Sequence, residues 1–159
     1  MSRGATAKAP CHLGPRTKAT FGSDALLSGF FDTAYAYRFG PPKHDVVVAT
    51  LLGESGEIIA EAFRFPGAVE PRTCSGSVLS AEARAVNNNV YEVTLISDRF
   101  LYAAHFDAKG FVADDNYFHL MPGRKKIVQL KRCADAAVKF RGYVEALNLD
   151  DVVRIVVQE

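Results

Sequence analysis

The chain has 159 residues, 48% of them hydrophobic and 23% charged, with 19 basic against 18 acidic side chains and a net charge of +1. This is the composition of a soluble globular chain long enough for a real core, and it excludes a disordered polyelectrolyte, a (β/α)₈ barrel of roughly 200 residues or more, and a span of about 20 apolar residues across a bilayer. A near-neutral balance leaves no broad field to gather nucleic acid or anionic lipid, and Arg124-Lys125-Lys126 and Lys131-Arg132 read as solvated turn charges.

Residues 1 to 20, MSRGATAKAPCHLGPRTKAT, mix Gly, Pro, Ala and Lys without a hydrophobic period, which predicts a disordered leader. No apolar segment follows Arg3, Lys8 and Arg16, so the stretch is not read as a secretory signal. Cys11, Cys74 and Cys133 lie far apart with no CxxC pair, as expected of separate reduced thiols in a cytoplasm-like compartment.

Beyond the leader the dominant period is two. Thr33, Tyr35, Tyr37 and Phe39 share one face of a strand that Gly40-Pro41-Pro42 stops. Asp45 to Leu52 is apolar on both faces, as a central strand would be, and the turn GESG joins it to EIIAEAFRF as an antiparallel hairpin. The stretch AVEPRTCSG has no period and marks the main boundary, so 21–70 and 72–159 are expected to be separate units.

After the boundary, short strands recur. Asn87-Asn88-Asn89 is a turn tip feeding VYEVTLIS, where Tyr91, Val93 and Leu95 alternate with Glu92 and Thr94. In RFLYAAHFD, Phe100, Tyr102, Ala104 and Phe106 alternate with Leu101, Ala103, His105 and Asp107. Strands follow at Tyr117–Met121, Lys126–Lys131, Phe140–Leu147 and Val152–Val157, and only Ser80–Ala85 and Asp135–Lys139 offer a helical turn. The spacing predicts an all-β chain: an immunoglobulin-like antiparallel β-sandwich, nearly complete within 72–159, with a partial sandwich of hairpin strands N-terminal to it.

The stretch FVADDNYFHLMPG concentrates the polar side chains. Asp114, Asp115 and Asn116 suit a tight turn, Phe118 and Leu120 share one face of the next strand opposite Tyr117, His119 and Met121, and Pro122-Gly123 closes it. A glycosidic acid pair requires two carboxyl groups facing each other across a sugar, whereas adjacent aspartates on an extended chain diverge. Oxygen ligands here would also suit calcium, but the DxDxDG spacing is lacking. His105 and His119 lack an announced third metal ligand, Ser75, Ser77 and Ser80 lack a GxSxG elbow, and no GxGxxG or GxxxxGK loop occurs. No catalytic residue, metal or cofactor is expected on this chain.

The strings FFDTAYAYRFGPPKHDVVVATL, EAFRFP, RFLYAAHF, GFVADDNYFHLMPGRKKIVQL and FRGYVEALN together resemble the C-terminal region of bacterial β-mannosidases of glycoside hydrolase family 2. DNYFHLMPG is similar to that family's D-N-x-F-x-L-x-P-G-E, with Arg124 standing where the family carries an acid. The resemblance implies that 21–70 are closing strands of a penultimate sandwich and 72–159 a whole final one. It further implies that the acid/base and nucleophile glutamates lie on a barrel absent from these residues, and that the partners are that barrel and a neighbouring sandwich. Without such neighbours, residues 21–70 are expected to be partly disordered or to self-associate, because a small sheet exposes an apolar face.

The sequence is compatible with two functions: a non-catalytic accessory region of a β-mannosidase, and a free carbohydrate-binding or protein-interaction module. Sugar platforms rely on exposed flat rings. The chain has no Trp, which leaves Tyr102, Tyr117 and His119, with Tyr35 and Tyr37, as candidates against a core-packing role.

Overall fold

The computed structural model describes residues 4–28, 31–34, 44–66, 73–133 and 138–158. The chain divides into two compact units, Met1–Glu70 and Pro71–Glu159.

In the first unit, residues 4–20 are exposed and carry no helix or strand, only a turn in which the Thr17 hydroxyl donates to the Gly14 carbonyl at 2.7 Å. One helical turn, α1 (Ser23–Leu26), follows where none was expected; the Leu27 N–H closes it on the Ser23 carbonyl. Most of the strand expected over Thr33–Phe39 falls outside the described residues.

The hairpin forms as its alternation and turn require. Strands β1 (Val47–Leu52) and β2 (Ile58–Arg64) pair antiparallel, with Val47 opposite Arg64 and a bulge between Leu51 and Leu52. Gly56 takes φ 85°, a left-handed angle open to glycine at little cost, and its N–H donates to the Gly53 carbonyl at 3.0 Å. Across the pair the Thr50 hydroxyl donates to Glu61 Oε1 at 2.8 Å. The central position expected for β1 is not observed: among the described residues it pairs only with β2, and Leu51, Leu52, Ile58 and Ile59 stand exposed.

The second unit is a two-sheet sandwich. Its strands are β3 (Leu79–Asn87), β4 (Val90–Ser97), β5 (Leu101–Asp107), β6 (Phe111–Ala113), β7 (Phe118–Leu120), β8 (Lys125–Arg132), β9 (Tyr143–Glu145), β10 (Val153–Arg154) and β11 (Val156–Val157). The five-stranded sheet has the order β11-β3-β4-β8-β6 and the four-stranded sheet β10-β9-β5-β7. Period-two side chains meet between them: Leu79, Ala81 and Ala83 of β3, Val93 and Leu95 of β4 and Val128 and Leu130 of β8 share one buried cluster with Leu101, Ala104, Leu120 and Val144. Each fully buried Leu or Val here contributes about 1.5–3 kcal/mol relative to exposure. Tyr91, Phe111 and Phe140 pack beside them, Tyr91 stacked on Phe140 at 4.2 Å and Phe111 edge-on to Phe140 at 5.0 Å.

Several expectations are corrected. Ser80–Ala85 is strand: its alanines alternate with Ser80, Glu82 and Arg84, and pairing along β4 outweighs alanine's helical preference. Three residues of the Asp135–Lys139 stretch, 135–137, lie outside the described set, and 138 and 139 carry no helix. The strand expected at Phe140–Leu147 shrinks to β9. Val152–Val157 is two strands: β10 pairs with β9, then the chain passes buried Ile155 and β11 joins β3 in parallel, so the sandwich is not wholly antiparallel. Gly142 permits that crossing, since a Cβ there would meet Ile155 Cδ1 at 2.8 Å.

Candidate functional site

The polar side chains of Asp114–Asn116 are spent on neighbouring strands. Asp114 Oδ1 accepts the Gln129 N–H at 2.9 Å, while the Asp114 N–H donates to the Gln129 carbonyl at 3.0 Å, tying the turn to β8. Lys126 Nζ meets Asp115 Oδ2 at 2.6 Å and lies 4.8 Å from the centre of the Phe118 ring. Asn116 Oδ1 accepts the Phe106 N–H on β5 at 2.9 Å. Pro122 and Gly123 occupy the middle of a turn closed by Arg124 N–H on the Met121 carbonyl at 3.2 Å; Gly123 at φ 72° supplies the positive angle of a type II turn. The two aspartates engage different partners and do not form a facing pair.

The seam between β5 and β7 holds the rings. Leu101 pairs with Leu120 and Ala104 with Phe118, which leaves one extra residue on β5, and Ala103 absorbs it at φ 50°. This bulge breaks the strict alternation expected for RFLYAAHFD, so that Leu101 and Ala104 both face the core. The backbone groups it displaces find side-chain partners. Asn148, only 4% exposed, accepts the Tyr102 N–H through Oδ1 at 2.8 Å and donates through Nδ2 to the Phe100 carbonyl at 2.9 Å. His119 Nδ1 accepts the Ala103 N–H at 3.1 Å. Burial pushes the His119 imidazole below its ordinary pKa, in keeping with a ring that must stay neutral to accept.

Tyr102, Tyr117 and His119 do not form one cluster. Tyr102 stacks on His119 at 4.9 Å between centroids and 13° between planes, with Phe100 tilted against the same imidazole at 5.7 Å. Tyr117 instead stacks on His105, at 4.9 Å and 18°. His105 Nε2 lies 3.5 Å from Glu145 Oε2, its direct cross-strand neighbour on β9. The two ring pairs follow one another along the seam. Among the described residues no group of three or more His, Cys, Asp or Glu side chains could hold a metal.

The serines and Cys74 serve the unit's entry. Ser75 Oγ accepts the Ser77 N–H at the start of a 3₁₀ turn, Gly76–Val78. Cys74 exchanges backbone hydrogen bonds with Asn148 and Asp150, at 2.8 and 3.1 Å, and burial, then the Asp150 charge, raise its thiol pKa, which is the opposite of an activated nucleophile. Sequence reasoning missed Glu145 and Asn148. The one available signal was an amide set in the apolar run VEALNL.

Residues 77–152 match the family model Ig_mannosidase, described as an Ig-fold domain, and the match lies inside the second unit. Together with the two-sheet topology it makes the unit an immunoglobulin-like β-sandwich of the type found in mannosidases. No curated protein matches the chain. No helix among the described residues is long and apolar enough to cross a membrane.

Proposed function

We propose that this chain is a non-catalytic accessory region of a β-mannosidase of glycoside hydrolase family 2, an enzyme that removes terminal non-reducing β-D-mannose. Hydrolysis would be carried by a separate catalytic barrel. The observation that carries the reading is the use made of the acidic turn: Asp114 holds Gln129, Asp115 holds Lys126 and Asn116 holds Phe106, so the polar side chains that look chemical in the sequence bind the fold together. A general acid needs a carboxyl aimed at a leaving group and a second one across the sugar.

The hairpin supports the same role. Among the described residues the hairpin has two strands, which alone are marginal in water, and the exposed Leu51, Leu52, Ile58 and Ile59 suit a covering sheet from a neighbouring sandwich, or a second copy. Three unpaired cysteines suit a reducing, cytoplasmic compartment.

The experiment is an assay of the purified chain on an aryl β-mannoside, beside the double variant Asp114→Asn, Asp115→Asn. Equal, background-level release from both is expected. Release by the parent chain that disappears in the double variant overturns the proposal.

A further inference from the structure

Tyr117 combines three features in one place. Its side chain is the most exposed of the rings on the four-stranded sheet, at 67%. The ring is nonetheless fixed, lying nearly parallel to His105, which Glu145 braces from the next strand. Its backbone sits at φ 57°, a left-handed angle that strains a bulky L-residue. A further cost falls at the same spot, because His105 Nδ1 is sealed from solvent without a hydrogen-bond partner among the described residues. Strain of this kind persists where the surroundings hold it, and it concentrates where ligands are gripped.

We propose that Tyr117 is a platform for a neutral pyranose, which stacks its C–H face on the outer face of the ring. A ring held flat on a sheet, with one side packed and the other open, is the surface that such stacking needs, and it has little rotamer freedom left to lose on binding. Glu145 and Asp107, on the same outward-facing register of β9 and β5, offer carboxylate acceptors for hydroxyl groups and disfavour an anionic ligand. A quaternary ammonium fits less well, because cation recognition uses rings on several sides and Tyr117 presents one plane. That the preferred sugar is a β-mannoside rests on the accessory role proposed for the chain, whereas the platform rests on the geometry alone.

The test uses the full chain, titrated with β-1,4-mannobiose, cellobiose and choline and followed by NMR of the tyrosine ring protons, with Tyr117→Gly and Tyr117→Phe alongside. Glycine accepts the positive angle, so Tyr117→Gly is expected to stay folded, with a thermal midpoint no lower than that of the parent by more than a few degrees. Saturable mannobiose binding should weaken by roughly tenfold or more in Tyr117→Gly and survive in Tyr117→Phe, since a lost ring contact of about 1.4 kcal/mol is a factor of ten. Silence with both disaccharides, unchanged binding in Tyr117→Gly, or preference for choline overturns the platform and leaves the accessory role standing. Binding of cellobiose without mannobiose supports the platform and removes the mannoside assignment.

Discussion

His119 Nδ1 accepts the backbone N–H of Ala103 at 3.1 Å, so a side chain of β7 completes the hydrogen bonding of a bulge on β5. The bond requires a bare nitrogen, and burial already holds the imidazole below its ordinary pKa. Below about pH 6.5 the unfolded chain takes up a proton at this site more readily than the folded one. The stability contributed here is therefore full above that pH and is lost as pH falls towards the depressed folded value, levelling off beneath it. His119→Phe keeps a ring against Tyr102 and removes the acceptor. It should cost about 1–2 kcal/mol near neutrality and flatten the slope of stability over roughly pH 5 to 7, as read by urea unfolding at each pH.

Asn148 clamps the strand immediately before that bulge, and its amide makes both bonds while nearly sealed from water. Asn148→Leu fills a similar volume but leaves the Tyr102 N–H and the Phe100 carbonyl without these partners. A loss of about 2–4 kcal/mol is expected, from two buried groups at roughly 1–2 each, measured by denaturant unfolding. Asn148→Asp keeps the acceptor and loses the donor, so it should fall between the two.

Gly123 and Gly142 should fail for different reasons when changed to alanine. At Gly123 a Cβ meets nothing within 4 Å, yet φ is 72°, so Gly123→Ala should cost about 1 kcal/mol from backbone strain alone. At Gly142 the obstacle is packing, with Ile155 Cδ1 at 2.8 Å and Ala108 Cβ at 3.2 Å, and about 1–3 kcal/mol is expected. Pairing Gly142→Ala with Ile155→Val should recover part of that loss, whereas Gly123→Ala should be indifferent to Ile155. Thermal unfolding of the four variants distinguishes strain from crowding.

Alternation along the chain was enough to read the all-β class, the GESG hairpin, the inward set of β4 and the turn at Pro122-Gly123, because each depends on residues a few positions apart. The resemblance carried by DNYFHLMPG pointed to the same sandwich that the family model matches over residues 77–152. Tertiary structure alone decided the rest. Ala103 has no local mark of a bulge; it takes φ 50° because β5 must satisfy β7 on one side and β9 on the other. Nothing near Ile155 announces a change of sheet, which follows from where β9 and β3 lie in space. Tyr117 stacks on His105 rather than beside Tyr102 for the same reason, since ring partners are assigned by strand register across the seam, and register is a property of two distant segments together.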